Sequence, residues 1–198
     1  MYVAGASWHI TQRGVNRCLT FKAALDYHVF LSILRLESAR TGVHIHAYAL
    51  MGNHLHLLAT PQSDAAFPAL MQGIGRRYVQ FFNYHYERAG ALWEGRYRTA
   101  LVHDERYWLT CMRYVELNPV RAGIVSDPQE YRWSSYSHHA LGRSDTLITE
   151  HPLYLALGAS SETRQLAWRE ICGQEVPPSE LDSLRKAIRR GRVACEQG

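Results

Sequence analysis

The sequence predicts an α+β fold: a ferredoxin-like βαββαβ antiparallel sheet with an added tyrosine-bearing helix and a helical C-terminal extension. Short β-type segments and two longer segments with helical spacing follow one another in the order β-α-β-β-α-β, and a further helix follows them. After Pro128 the chain changes to short helical stretches with Gly and Pro stops. We therefore expect a main domain over residues 1–128 and an extension over residues 129–198 packed on it.

The first strand and first helix follow from simple periodicities. Residues 6–13 alternate in character and predict a strand, which ends where Gly14 begins a turn-type sequence. Residues 23–40 place apolar side chains three and four positions apart, which is typical of a helix with one buried face. Gly42 supplies the stop signal for that helix.

The next two strands and the second helix are also predicted from short stretches of neighbouring residues. Residues 43–50 and 54–60 are rich in β-forming residues, and Gly52-Asn53 between them is a hairpin-turn signal. A long helix is predicted over residues 65–88.

The last elements complete the pattern. Residues 92–103 predict the fourth strand, and residues 105–117 predict a helix that Asn118-Pro119 stops. Three short helical stretches are predicted in the extension, at residues 131–142, 151–158 and 180–192.

Composition narrows the class of protein. The chain has 198 residues and a net charge of +4, and Lys22 and Lys186 are its only lysines, so arginine carries nearly all the positive charge. Guanidinium groups suit bidentate phosphate contacts and stacking, which mildly favours a nucleic-acid partner. Four scattered cysteines without a C-x-x-C pair argue against a disulfide framework or zinc cluster. No segment reaches transmembrane length, so we expect no membrane partner.

Two His-x-His pairs, His44/His46 and His54/His56, lie on the predicted hairpin. Residues two apart on a strand share a face, so either pair could offer two imidazoles to one metal ion. A two-residue turn would pair Met51 with His54 and place the two pairs on opposite faces, whereas a one-residue slip would reverse that result. The pattern is equally compatible with four ordinary strand histidines.

The helix before Asn118 carries a second candidate group. Tyr114 and Asn118 are four residues apart and share one helix face. Asn118 offers an amide oxygen to a divalent ion, and a phenolate at Tyr114 could attack a phosphodiester. A phenol titrates near 10, so this reaction needs a metal or a base. Alternatively, Asn118 is a plain helix stop and Tyr114 a core residue.

Taken together, these stretches resemble the single-tyrosine HUH endonucleases, and more narrowly the REP-associated tyrosine transposases. The matching segments are HITQRGVNR, HAYALMGNHLHLL, LMQGIGRRYVQFFN, LWEGRYRT, MRYVELNPVRAGIV, YRWSSY and HPLYLALG. The resemblance implies that His54 and His56 hold a metal, that Asn118 is the third ligand and that Tyr114 is the nucleophile. One departure is Gly52, where the family usually has proline, which leaves the turn less stiff.

The resemblance further implies an HUH-type tyrosine transposase, an enzyme dependent on Mg²⁺ or Mn²⁺ without a small-molecule cofactor. It would cut and rejoin single-stranded DNA at a hairpin-forming palindrome through a 5′-phosphotyrosine intermediate. The alternative is a domesticated relative that binds hairpin DNA with little or no cleavage. We expect a monomer, with a dimer as the alternative, in the bacterial cytoplasm and associated with the nucleoid.

Arginines and aromatic residues are the expected DNA contacts. Bases could stack on Trp93 or Tyr97, and the C-terminal basic cluster over residues 185–192 is either a DNA-binding tail or a solvated helix end. Arg96 and Arg98 are predicted to share a strand face. The candidate DNA-binding arginines are Arg13, Arg17, Arg76, Arg77, Arg96, Arg98 and Arg121.

Overall fold

The computed structural model describes residues 2–102, 104–174 and 186. Four antiparallel strands form one sheet in the order β2-β3-β1-β4. The strands are β1 (Ser7–Arg13), β2 (Val43–Met51), β3 (His54–Pro61) and β4 (Arg98–Val102). The helices are α1 (Ala24–Thr41), α2 (Ala66–His85), α3 (Glu105–Glu116), α4 (Asn118–Arg121), α5 (Tyr136–Leu141), α6 (Pro152–Leu155) and α7 (Ser161–Gly173). The predicted ferredoxin-like βαββαβ order is confirmed.

Helices α1 and α2 cover one face of the sheet, as predicted for the two crossover helices. Their apolar side chains, among them Phe30 of α1 and Leu70 and Tyr78 of α2, pack with Ile10 and Leu57 of the central strands in one buried cluster. Because successive strand residues point to opposite faces, the residues that alternate with Ile10 and Leu57 face the other side of the sheet.

The second face of the sheet is covered by α3 and by helices of the C-terminal region. Ala49 and Leu58 of the sheet pack with Met112 of α3, Tyr136 of α5 and Trp168 of α7. The helix α7 was not predicted, and the predicted helical stretch at residues 180–192, with its basic cluster, lies outside the described residues except for Lys186. Within the described part of the chain, every helix is too short or too polar to cross a membrane.

The hairpin between β2 and β3 has the predicted register, with Met51 opposite His54 and Ala49 opposite His56. Backbone amides of Gly14 and of the loop after β1 donate hydrogen bonds to its turn. Gly52 O accepts hydrogen bonds from the Thr20 and Phe21 amides over 2.9 and 3.1 Å, and Asn53 O accepts one from the Gly14 amide. The glycine that replaces the usual proline therefore lies in a turn that neighbouring backbone already fixes.

A β-bulge in β2 overturns one sequence prediction. The register shifts between Ile45 and Ala47, so His46 is the extra residue and turns toward the α3 side of the sheet instead of away from it. There its Nδ1–H donates to the Thr149 carbonyl over 2.7 Å, and its Nε2 accepts from the Thr60 hydroxyl over 2.8 Å. With both ring nitrogens bonded and with burial lowering its pKa to about 4, His46 is a neutral structural residue.

The fourth strand is shorter than predicted, because residues 92–97 pair with β1 irregularly. Trp93 forms a single bridge to Gly14, and the Glu94 amide donates to the Arg13 carbonyl. The Gln12 side chain donates to the Gly95 carbonyl, and Gly95 adopts a φ of 74° that ends extended pairing there. Regular pairing begins only at Arg98.

The C-terminal region also covers the exposed edge of β2. The Leu50 amide donates to the Trp133 carbonyl, the Ser135 amide to the Tyr48 carbonyl, and the Thr149 amide to the Ile45 carbonyl. These bonds satisfy backbone groups that an uncovered edge strand would leave unpaired.

Two glycines of α2 test the packing of α1 against α2. A Cβ at Gly73 would come within 3.0 Å of the Glu37 carboxylate, which is buried and held by Arg40 and Arg77, whereas a Cβ at Gly75 meets no atom within 4 Å. We expect Gly73→Ala to lower the free energy of unfolding by about 1–3 kcal/mol through overpacking. Gly75→Ala, the matched control, should raise it by up to about 1 kcal/mol through helix propensity. Urea unfolding measures both, and equal signs would contradict this packing.

Candidate active site

Three elements bring a cluster of aromatic rings together on the α3 side of the sheet. His9 of β1 stacks on His56 of β3 with ring centroids 5.1 Å apart. The Tyr114 ring of α3 meets both edge-on, with centroids 6.0 Å from His9 and 5.8 Å from His56. His54 lies beside His56, at 5.1 Å between centroids. The sequence-predicted pair His54/His56 and the predicted nucleophile are therefore brought together, although they are about 60 residues apart in sequence.

Burial keeps these imidazoles neutral. It lowers the pKa of His9 to about 3 and that of His56 well below its usual value, with the neighbouring His9 and His54 adding to the effect on His56. Burial, followed by the positive charge of Arg13, lowers the pKa of His54 to about 4. A neutral imidazole has one unprotonated nitrogen, which is the form that binds a metal ion.

The tautomer of His54 follows from its neighbour in the turn. The Asn53 side chain donates from Nδ2 to the Arg17 carbonyl over 3.2 Å, so its Oδ1 is the atom that faces His54 Nδ1 at 2.6 Å. An amide oxygen only accepts, and the His54 proton therefore sits on Nδ1. This leaves the Nε2 lone pair of His54 available to a ligand.

His56 has a different partner, which sequence reasoning missed. Its Nδ1 lies 3.0 Å from Nε2 of His9, and both side chains are buried. His9 Nδ1 has no hydrogen-bond partner among the described residues. His9 was part of a quoted motif but carried no assigned role, because a single strand histidine has no spacing signal; only the β1–β3 pairing shows that it contacts His56.

Asn118 lies one helical turn beyond Tyr114. The Leu117 amide donates to the Arg113 carbonyl over 2.9 Å, so helical spacing runs on from α3 toward α4. The predicted helix end before Asn118-Pro119 agrees with the structure, in which α3 ends at Glu116 and the short helix α4 begins at Asn118 with Pro119 in its first turn. Tyr114 therefore lies near the end of α3 and Asn118 at the start of α4.

Four of the predicted DNA-binding arginines lie around this cluster. Arg13 is exposed and pairs across the sheet with His54, while Arg98 is exposed opposite Thr11 on the same face. Arg17 lies in the loop whose carbonyl holds the Asn53 side chain. The guanidinium of Arg121 lies 4.5 Å from the centre of the Tyr114 ring. Arg121 thus brings positive charge to the ring of Tyr114, and Arg13 and Arg98 bring it to the sheet face that carries the histidines.

The other three predicted arginines lie elsewhere. Arg76 and Arg77 are exposed on α2, beyond the opposite face of the sheet, and Arg77 donates to the buried Glu37 over 2.7 Å. Arg96 lines a cavity on the α2 side. The prediction that Arg96 and Arg98 share a face is wrong, because Arg96 precedes β4 and belongs to the irregular segment.

The family of the chain follows from a sequence comparison. A family model described as "Transposase IS200 like" matches residues 2–118, which contain the whole sheet, α3 and all the residues of the ring cluster. The chain belongs to this transposase family. No curated protein matches the sequence.

One solved structure shows a similar fold, and a second matches more weakly. The structure of a REP-associated tyrosine transposase bound to a REP hairpin matches 77% of this chain and 90% of its own, with a TM-score of 0.63 and 17% identity. The crystal structure of a protein assigned as a transposase from Deinococcus radiodurans R1 matches 58% of this chain and 92% of its own, with a TM-score of 0.43 and 22% identity.

The helix that bears Tyr114 is tied to the C-terminal region of this IS200-like transposase through a buried carboxylate. Glu116 is fully buried, and its Oε1 accepts hydrogen bonds from the Ser135 hydroxyl and His139 Nδ1–H over 2.5 and 2.7 Å. Its Oε2 accepts from the Trp168 indole over 2.8 Å. The family match ends at residue 118, so all three donors lie outside it.

Removing this carboxylate should destabilise the protein strongly. Glu116→Ala leaves the buried His139 and Trp168 donors without an acceptor and removes the shorter bond of the Ser135 hydroxyl, and we expect a loss of about 3–5 kcal/mol in the free energy of unfolding. Urea unfolding measures the loss. Glu170→Ala, which removes an exposed carboxylate from α7, is the control and should change stability by less than about 0.5 kcal/mol. Similar values for the two variants would contradict the role of Glu116.

Proposed function

We propose that this transposase cuts and rejoins single-stranded DNA through a covalent link to Tyr114. The observation that supports this most directly is the packing of the Tyr114 ring against the two buried histidines, within a family of transposases. Family membership makes DNA the substrate class. The single-strand specificity, the nucleophile and the metal are the parts that we propose.

In the proposed reaction, the Tyr114 oxygen forms a bond to phosphorus and the bond from phosphorus to the 3′ oxygen breaks. The phenol loses its proton and the leaving 3′ oxygen gains one, so the products are a 5′-phosphotyrosine and a free 3′-OH. A 3′-OH can reverse the step because the phosphotyrosine conserves the energy of the bond. Arg121, beside the Tyr114 ring, and the exposed Arg13 would bind phosphates of the DNA near the cleaved bond.

The donor set fits a divalent cation. IS200-like transposases generally depend on one, and His54, His56 and Asn118 offer two neutral imidazoles and an amide oxygen, a combination that suits Mn²⁺ at least as well as Mg²⁺. The described residues contain no cluster of three or more His, Cys, Asp or Glu side chains suited to a metal. The third ligand that we propose is the side-chain amide oxygen of Asn118. When bound, the cation would polarise the scissile phosphate and stabilise its developing charge.

His9 then acts as a positioning residue. For His56 to offer Nε2 as a ligand, its proton must be on Nδ1, where His9 Nε2 at 3.0 Å is its acceptor. Asn53 does the same for His54. With the His56 proton on Nδ1, both proposed ligands would have Nδ1 hydrogen-bonded and Nε2 available to a cation.

The proposed DNA partner is a strand that folds into a hairpin with a single-stranded flank. The structurally similar REP-associated transposase binds a REP hairpin, and exposed arginines surround the ring cluster on this chain. We propose further that residues 1–128 form the nuclease domain, that the C-terminal extension supports it and that the protein acts as a monomer.

Adduct formation tests the proposal. Incubated with Mn²⁺ and labelled hairpin oligonucleotides that carry randomised single-stranded flanks, the protein should yield a protein–DNA adduct that survives a denaturing gel. We expect the adduct to disappear with EDTA, in Tyr114→Phe and in His56→Ala. Tyr107→Phe, on the same helix, is the matched control and should retain it. Undiminished cleavage by Tyr114→Phe would refute the mechanism, and tight binding without an adduct would favour a DNA-binding protein that does not cut.

Substitutions at His9 test the second contact of His56. His9→Phe keeps a ring but removes the acceptor, and it should weaken Mn²⁺ binding about 10–100-fold in isothermal titration calorimetry. His9→Gln keeps an acceptor and should restore part of the affinity. If the two variants bind Mn²⁺ as tightly as the wild type while remaining folded, His9 has no role in positioning the ligand.

A further inference from the structure

We propose that the backbone of Arg17 decides which ring nitrogen of His54 is free to bind a cation, and that it acts through the side chain of Asn53. We call the Arg17 carbonyl, the Asn53 amide and the His54 ring the relay. This inference rests on the proposed function, because it assigns a positioning role toward the cation that His54 would hold. Arg17 is a positioning residue in the relay, and this role of its carbonyl is separate from the predicted DNA contact of its guanidinium.

The Asn53 side chain lies between a backbone group and a proposed metal ligand. Its Nδ2 donates to the Arg17 carbonyl over 3.2 Å, and its Oδ1 accepts from His54 Nδ1 over 2.6 Å. Among the residues that the structure describes, these are the only two partners of the Asn53 side chain. The contact with His54 alone would not fix the amide, because after half a rotation Nδ2 could donate to an unprotonated Nδ1.

The Arg17 carbonyl selects one of these two orientations of the amide. A carbonyl oxygen only accepts, so a rotated Asn53 would set its own oxygen against that of Arg17, and two acceptors repel each other. The orientation in the structure leaves His54 with its proton on Nδ1 and with Nε2 free. The rotated amide would move the proton to Nε2, where it blocks a cation. The direction of one backbone carbonyl therefore distinguishes a form of His54 that can bind a cation from one that cannot.

The Arg17 carbonyl points at Asn53 from a backbone conformation that arginine rarely adopts. Arg17 has a φ of 58°, and Asn16 before it has a φ of 51°. Asparagine tolerates this left-handed region, whereas for arginine the cost is similar in size to the net gain from one hydrogen bond. Both residues are exposed, so burial of their side chains does not account for the conformation. Strained backbone of this kind is concentrated at functional sites, which supports a role for the carbonyl that it places.

The loop that contains Arg17 is attached at both ends to the turn that contains Asn53. The Gly14 amide donates to the Asn53 carbonyl over 2.9 Å, and the Thr20 amide donates to the Gly52 carbonyl over 2.9 Å. Between these points, the Arg17 amide donates to the Gly14 carbonyl over 3.0 Å. Because both ends are attached, a change in the backbone of Arg17 should turn its carbonyl away from Asn53 without releasing the loop from the hairpin.

His56 is an internal control for the relay. Its Nδ1 lies 3.0 Å from His9 Nε2, which belongs to β1 and not to the loop. A change at Arg17 should therefore alter the position of the ring proton on His54 and leave that on His56 unchanged. A general disturbance of the site would affect both rings.

Three substitutions separate the backbone of Arg17 from its charge. Arg17→Gly and Arg17→Asn remove the guanidinium but accept the left-handed region, whereas Arg17→Val removes the guanidinium and is strongly disfavoured there. All three variants lose the same charge, so a difference among them reports the backbone. Asn53→Ala removes the amide and interrupts the relay at its second member.

The first measurement locates the ring protons of metal-free protein in the absence of DNA. NMR of ¹⁵N-labelled protein distinguishes protonated from unprotonated ring nitrogens, and the signals lost in His54→Gln identify those of His54. We expect the His54 proton on Nδ1 in the wild type, in Arg17→Gly and in Arg17→Asn. In Arg17→Val and Asn53→Ala, we expect a population with the proton on Nε2, and the His56 signals should not change.

The second measurement is Mn²⁺ binding by isothermal titration calorimetry, again without DNA. We expect about 10–100-fold weaker binding in Arg17→Val and Asn53→Ala, and less than about threefold in Arg17→Gly and Arg17→Asn. The double variant Arg17→Val/Asn53→Ala should lose no more affinity than Asn53→Ala alone, because both changes interrupt the same relay. Additive losses would mean that Arg17 acts by another route, and they would overturn the proposal.

The remaining outcomes separate the relay from the proposed function. Equal Mn²⁺ affinity in the three Arg17 variants, or a wild-type His54 proton on Nε2, would overturn the relay. If circular dichroism shows that Arg17→Val is unfolded, Arg17→Ala replaces it and the same criteria apply. A wild-type protein that binds no Mn²⁺ but whose His54 proton depends on Arg17 refutes the metal and retains the relay. An adduct at Tyr114 in a protein whose His54 ring does not respond to Arg17 overturns the relay alone.

Discussion

The antiparallel pairing of β1 with β3 is the constraint on which the rest of the structure depends. It places His9 against His56 and Arg13 opposite His54 on one face of the sheet, and it turns Gln12 and Leu55 to the other. A shift of one residue in this register would exchange the two faces of a strand and separate His9 from His56. The turn between β2 and β3, from which β3 begins, accepts backbone hydrogen bonds from Gly14 and from the loop after β1.

The tyrosine helix depends on a second buried interaction. Glu116 joins α3 to α5, α7 and the segment before α5, and each of its partners lies beyond the part of the chain that matches the IS200-like family. The same region covers the edge of β2. The C-terminal region therefore completes the packing around Tyr114 in this chain, and a truncation after residue 118 would expose both a buried carboxylate and a sheet edge.

Local patterns were enough to predict the order of the elements and the β2–β3 register, because periodicity and turn chemistry act between near neighbours. They did not predict the bulge at His46, which is held by Thr60 and by Thr149, more than 100 residues away in sequence. They assigned no role to His9 for the same reason, since its partner comes from another strand. The error at Arg96 arose because Gly95 and the Gln12 side chain replace regular strand pairing there.

Of the site, His54, His56 and Tyr114 were predicted from a family resemblance rather than from their spacing, and the structure places their rings in one cluster. The structure adds what the sequence did not contain: a fixed tautomer for His54, a buried partner for His56 and an arginine beside the ring of Tyr114, the proposed nucleophile. These contacts are the basis of the separate chemical roles that we propose for the candidate residues.

The most direct test of the central claim is to locate the covalent link by mass spectrometry. Trypsin cuts after Arg113 and Arg121, so Tyr114 is the only tyrosine of the peptide over residues 114–121, and Tyr107 falls in the preceding peptide. After reaction with hairpin DNA and nuclease digestion, the account predicts that this peptide carries a nucleotide through a 5′-phosphate on Tyr114. A nucleotide on Tyr107 or on any other peptide, or an adduct formed through a 3′-phosphate, would contradict it.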